Sequence, residues 1–116
     1  MEISESDVAP GDVVWVSFDP TRGREQQGHR PAVVVASADY LDVVDTLAIV
    51  VPVTSQHRGW PNHILLVGPS GLAVESWAMT EQIRTISRDR ITDVAGHVTA
   101  DCLGEMRVYL KDFLGL

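Results

Sequence analysis

Short runs of β-branched and apolar residues recur through most of the chain, and helical periodicity appears only near its end. Val13 to Phe18 has apolar residues on both alternation sets, Val14/Val16/Phe18 and Val13/Trp15, with Ser17 the polar exception. That pattern predicts a strand covered on both faces. Pro31 excludes helix at Arg30 and opens a second strand, Ala32 to Ala36. Ala38 to Val44 has room for one short helical turn, and Thr46 to Val53 reads as a third strand rich in β-branched residues. The polar stretch His57 to Asn62 follows as a loop. Ile64 to Val67 reads as a fourth strand, Gly68-Pro69-Ser70-Gly71 as a tight turn and Ser76 to Ile86 as a long, bent fifth strand. A short strand or turn is expected near Ile91 to Val94.

The pattern then changes period. Thr99 has the chemistry of an N-cap, and Asp101 stands in the first turn near the positive end of the helix dipole. Leu103, Met106, Leu110, Phe113 and Leu114 recur at helical spacing, which predicts a helix over 99–114 with one face packed on the sheet. Five or more strands closed by one terminal helix predict a mainly β fold, a small, strongly twisted antiparallel barrel with a C-terminal α-helix. The 116 residues suit a single domain with one core, residues 1–10 forming a loose arm. Neither an internal repeat nor a low-complexity tract is present.

Composition narrows the function classes. No apolar run approaches the ~20 residues that span a bilayer, and the first ten residues are acidic where a secretory signal would be basic and then apolar. A cytoplasmic protein without a membrane role is expected. Cys102 is the single cysteine, so an intramolecular disulfide and a cysteine-based zinc site are excluded; it reads as a small helix residue. His57 and His63 lack the spacing and the carboxylate company of zinc ligands. No cofactor fingerprint is present. The net charge of −7 argues against a general nucleic-acid coat protein. The basic residues are nevertheless concentrated: Arg22, Arg24, Arg30, Arg58, Arg84, Arg88 and Arg90 fall in the middle of the chain, between acidic or mixed ends. Arginine can grip phosphate bidentately, as lysine cannot.

The polar stretch between the first two strands is longer than a simple connection needs. It carries Arg22, Arg24, Glu25, Gln26, Gln27, His29 and Arg30 within Asp19 to Ser37, whereas loops between neighbouring strands usually take about two to five residues. A functional loop is expected. The block GDVVWVSFDPTRGREQQGHRPAVVVAS resembles the N-terminal block of the MazF/PemK family of bacterial toxin ribonucleases. The segments Val51-Pro52-Val53-Thr54-Ser55-Gln56 and Thr80-Glu81-Gln82-Ile83-Arg84-Thr85-Ile86 are similar to that family's second and third active-site strands. The resemblance extends in order from Gly11 to about Arg90. It implies an SH3-like barrel shared with the CcdB toxins, a homodimer, and a MazE-like antitoxin that lays an acidic-hydrophobic tail along the active surface. Arg24 is a departure, because the family more often carries Ser there.

The implied activity is sequence-specific, metal-independent cleavage of single-stranded RNA, which inhibits translation and growth. RNA cuts itself when its 2′-hydroxyl is deprotonated and aligned on the neighbouring phosphorus, leaving a 2′,3′-cyclic phosphate and a 5′-hydroxyl. A protein need only hold the strand in line, donate to the developing phosphorane charge and move two protons. Arg30 suits the charge, since its guanidinium stays cationic and offers a fixed fork of donors. Thr54 can add a hydroxyl donor, and these two positions match the family's catalytic Arg and Thr. Glu25 is the nearer choice for general base, with His29 the alternative. Glu25 can equally be a positioning group, and for His29 a non-catalytic role is the favoured reading.

Single-stranded bases are read by amides, carboxylates and aromatics. Arg24, Gln27, His29, Ser55, Gln56, Glu81, Gln82 and Arg84 are the candidate RNA-binding residues; Arg58 reads as an ordinary loop charge, and Trp60 and Trp77 as core or interface residues. A gyrase-binding CcdB-like toxin is one alternative, weakened by the absence of a tryptophan in the last helix. An inactive RNA-binding relative is the other.

Overall fold

A computed structural model describes residues 8–17 and 29–116. The strands are β1 (Asp12–Ser17), β2 (His29–Val34), β3 (Leu47–Thr54), β4 (His63–Leu65), β5 (Trp77–Met79), β6 (Arg84–Ser87) and β7 (Ile91–His97), with helices α1 (Ala38–Val43) and α2 (Ala100–Leu114). The sheet runs in the order β4-β5-β3-β2-β1-β7, and β6 pairs with the opposite end of β3. All these pairings are antiparallel. Among the described residues no ladder joins β4 to β7, so the sheet is twisted and barrel-like without closing.

The two-sided strand is where the sequence pattern places it. Val13 packs with Met106 and Leu110 of α2, while Val14 and Val16 pack on the other face with Leu41 of α1 and Ile86. Irregular pairing between β1 and β7, at Val13/Val14 and Trp15/Val16, adds twist. β7 is longer than the short element expected around Ile91 to Val94. Gly96 makes this possible, because a Cβ there would lie 2.1 Å from the Pro69 carbonyl oxygen. The close approach anchors the turn before Leu72 against β7.

The expected long fifth strand is instead interrupted. A 3-10 turn, Thr80–Gln82, separates β5 from β6, and both strands pair with β3. Val53 pairs with Ala78, whereas Val50 pairs with Arg84. The ladder breaks where β3 carries Pro52, which has no N–H to contribute. The extra residues loop out there as the turn, and Thr80 is fully buried within it.

Two further expectations need correction. Val8 is buried and the Ala9 amide donates to Asp12 Oδ2 at 2.9 Å, so the end of the supposed arm is docked; residues 1–7 lie outside the described set. In α2 the Thr99 hydroxyl caps the Cys102 amide at 3.1 Å and Leu103, Met106 and Leu110 are buried, but Phe113 and Leu114 are 49% and 59% exposed. The helix extends past the sheet before Gly115 ends it in a left-handed turn, φ 72°.

Not all the central arginines face a groove. Arg88 is buried and donates to the carbonyls of Leu47 at 2.8 Å, Val44 at 3.1 Å and Leu41. It ties the C-terminal end of α1 to β3. Arg90 donates to the Ser17 carbonyl at 2.9 Å, at the end of β1.

Candidate active site

The β2–β3 ladder sets the geometry of the site. Ala32 pairs with Pro52, and two residues further along each strand stand Arg30 and Thr54, at the same level on adjacent strands. Thr54 in turn pairs with Trp77 of β5. Arg30 is exposed at the open end of β2, while Val33 and Val34 beyond it are fully buried. Its position is thereby fixed by a rigid strand and its guanidinium faces solvent.

Arg30, Thr54 and Ser55 line one depression of about 380 Å³ with Trp15 and Pro31. Leu72, Ala73, Val74 and Ser76 form its far wall. Thr54 Oγ1 accepts from the Gln56 amide at 3.0 Å. A hydroxyl held in this way still has its own O–H to donate. Arg30 also lines a second depression, of about 220 Å³, with Pro52, Val53, Met79, Gln82 and Arg84. The surface is therefore continuous, with Arg30 and Val53 shared by its two halves.

The remaining candidates divide. Gln56 is exposed and its Oε1 accepts from Arg58 Nη2 at 3.1 Å. His29 Nε2 lies 2.8 Å from Thr92 Oγ1, and its ring is 5.6 Å from that of Trp15. Arg24, Glu25 and Gln27 lie outside the described residues. Glu81 lies among β4 residues: His63 Nε2 is 3.0 Å from each carboxylate oxygen, and Asn62 Nδ2 donates to Oε1 at 2.8 Å. Burial alone would raise this carboxyl's pKa, but the hydrogen bond from His63, the residue's own backbone amide, the electrostatic attraction of His63 and the hydrogen bond from Asn62 together outweigh it and leave it below the ordinary glutamate value.

Sequence reasoning missed Asn62, the pairing of His63 with Glu81, and the apolar wall at Leu72 to Val74. The signal for the wall was a pair of aliphatics, Leu72 and Val74, after a glycine turn. His57, considered and set aside as a metal ligand, stacks on Trp77 with ring centroids 4.6 Å apart and planes 4° from parallel. Among the described residues no three His, Cys, Asp or Glu side chains converge as metal ligands would. Among the described residues no helix is long and apolar enough to cross a membrane.

A family model of PemK-like, MazF-like toxins of type II toxin–antitoxin systems matches residues 9–114. The chain belongs to this family. The endoribonuclease toxin MazF of Escherichia coli K12 is 40% identical over 106 residues, covering 90% of this chain and 92% of that protein. Endoribonuclease MazF9 of Mycobacterium tuberculosis is 38% identical over 112 residues, covering 91% and 95%. A MazE–MazF crystal structure from Deinococcus radiodurans superposes with a TM-score of 0.77 at 32% identity, covering 94% of this chain and 96% of that one. The mainly antiparallel sheet with its C-terminal helix is thus the architecture of MazF-type toxins.

Proposed function

We propose that this MazF-like toxin endoribonuclease cleaves single-stranded RNA at specific sequences, by attack of the 2′-hydroxyl on the adjacent phosphorus and without a metal ion. The observation that carries the reading is the shared depression of Arg30 and Thr54. A phosphate seated there would meet a fork of cationic N–H donors from one strand and a hydroxyl donor from the next. Both can strengthen as charge develops on the phosphorane, which is how such donors accelerate a reaction. Glu25, five positions before Arg30 in the sequence, is assigned the removal of the 2′-hydroxyl proton, with His29 the alternative.

Ser55, Gln82 and Arg84 line the two depressions and are assigned to the flanking nucleotides, together with Gln56, Arg24, Gln27 and His29. Relatives of this chain crystallise as MazE–MazF complexes, and we assign it a cognate antitoxin whose acidic-hydrophobic tail covers the same surface of a toxin homodimer. Its action would be in the bacterial cytoplasm, where its substrate is.

The test is incubation of the purified protein with a mixed RNA in EDTA, followed by mapping of the ends. The expected products carry 5′-hydroxyl and 2′,3′-cyclic phosphate ends, and a 2′-deoxy or 2′-O-methyl sugar at the cut blocks them. Cleavage of DNA at the same site, or strict dependence on magnesium, would refute the mechanism.

A further inference from the structure

Glu81 sits in an arrangement that a purely structural carboxylate does not need. The 3-10 turn that carries it sends successive side chains about a third of a turn apart. Thr80 points inward and is fully buried, Gln82 lines the Arg30 depression, and Glu81 lies against Asn62 and His63. The His63 side chain is 1% exposed, whereas that of Glu81 is 30% exposed. The Trp60 ring covers the imidazole with centroids 4.7 Å apart. Asn62 is itself fixed, donating from Nδ2 to Thr80 Oγ1 at 3.1 Å while its carbonyl accepts from that hydroxyl at 2.8 Å.

The chemistry of the clamp has one direction. An ionised carboxylate only accepts, so the proton of the His63 ring stands on Nε2. The other ring nitrogen, Nδ1, is buried without a hydrogen-bond partner among the described residues. Of the roughly four lone-pair sites on a carboxylate, Asn62 and the His63 proton occupy those facing the protein. The Glu81 side chain is 30% exposed, so acceptor capacity is left to solvent on a carboxylate that the buried imidazole holds through both oxygens.

We infer that the Asn62–His63 clamp makes Glu81 a fixed acceptor that selects, in the bound RNA, a nucleobase bearing an exocyclic amino group over uracil. This deepens the RNA-cleaving reading and rests on it. Cytosine, adenine and guanine each present an amino donor on the edge that single-stranded RNA exposes. Uracil presents one N–H between two carbonyls, whose lone pairs would face the carboxylate. Arg30 on β2 and His63 on β4 are separated by β3 and β5, about 14 Å at ~4.8 Å per strand. The base read is therefore a neighbour of the scissile phosphate and not the nucleotide that supplies the 2′-hydroxyl. His63 and Asn62 act through Glu81 as positioning residues.

The experiment is to digest a randomised RNA library with wild type, Glu81→Gln and Asn62→Ala and sequence the new ends. Wild type should enrich amino-bearing bases at one fixed flanking position. Glu81→Gln must turn its amide oxygen toward the two protein donors, which points its NH2 outward. The preference at that one position should then shift toward uracil by about tenfold, the discrimination of one good hydrogen-bonded base contact, with every other position unchanged. Asn62→Ala should weaken the same preference without inverting it, and serves if the glutamine variant folds poorly. Uracil at that position in the wild-type profile, or variants that slow all sites equally with an unaltered profile, overturns the inference. A wild-type protein that leaves the library intact fails the RNA-cleaving reading itself, and this inference with it.

Discussion

Arg30 and Thr54 line one depression from adjacent strands, in the register that pairs Ala32 with Pro52. Two residues far apart in sequence are thereby presented side by side without any loop to position them. If both donate to one phosphate, the geometry of the guanidinium matters as much as its charge. Arg30→Lys should then be nearly as damaging as Arg30→Ala, because lysine keeps the charge and loses the fork. Losing one oxyanion donor typically costs roughly 10²–10³ in rate. Single-turnover cleavage measures it, and near-wild-type turnover by Arg30→Lys would reduce Arg30 to a counter-charge.

Thr54 offers a finer division. Its Oγ1 accepts from the Gln56 amide, which leaves its O–H able to donate. Thr54→Val should lower the rate by about 10² with the melting temperature little changed, since the residue is only half-buried at the end of β3. Thr54→Ser retains both the acceptor and the donor and should recover most of the activity. Equal losses in Val and Ser would mean that the methyl group, not the hydroxyl, is what the site uses.

Arg88 supplies the contrast among the arginines. It is 3% exposed and its donors satisfy carbonyls from both α1 and β3. Arg88→Met would leave buried carbonyls unpaired, at about 1–3 kcal/mol each. The urea midpoint should fall accordingly while the RNA cleavage sequence stays the same. An Arg88→Met protein of wild-type stability with altered RNA affinity would instead place this side chain in the groove.

These cases show which parts of the molecule were legible in the sequence. The two-sided strand at Val13 to Val16 and the Thr99 cap were readable, because each depends on local pattern; that Arg30 and Thr54 line one depression follows from the β2–β3 register. Arg88 and Arg90 could not be separated from Arg84 by composition, since all three lie within seven positions of one another on an apparently continuous polar stretch. Their roles differ because β6 ends at Ser87 and a second 3-10 turn, Arg88–Arg90, carries the last two off the strand that holds Arg84. The Asn62–His63–Glu81 clamp was equally hidden, because it joins residues 18 and 19 positions apart across a ladder. Exposure of Phe113 and Leu114 had the same origin: the period continued past the end of the surface it packs on.

Acid stability should report on two carboxylates in opposite senses. The folded-state pKa of Glu81 is lowered, so its contribution is present above the ordinary value of 4.5 and is lost as pH falls through the folded value. Asp12 is raised, chiefly by burial, against the opposing effects of the Ala9 amide and His97. Its contribution is present below the ordinary value of 3.8 and is lost as pH rises through the folded value. The stability deficit of Glu81→Gln should therefore shrink on acidification, whereas Asp12→Asn should gain on wild type as pH rises. Denaturant melts across the acid range read both, and parallel trends in the two variants would contradict the assignments.

The last prediction starts from the mismatch between a chain of net charge −7 and a polyanionic substrate. RNA must be held by a local surface, and Arg30 and Arg84 line its two connected depressions, of about 380 and 220 Å³. Spaces of that size suit a few nucleotides, or a short peptide whose carboxylates replace phosphates and whose apolar side chains meet Leu72 and Val74. An antitoxin tail that orders as it binds has this composition. Antitoxin and RNA should compete, and both affinities should weaken as salt rises. Arg84→Glu should weaken the two ligands together, by similar factors, while Val74→Asp should weaken the peptide more than the RNA. Titration of a fluorescent, non-cleavable 2′-O-methyl RNA with antitoxin tail peptide measures the competition directly. Simultaneous binding with unchanged affinities would mean that inhibition acts from another surface.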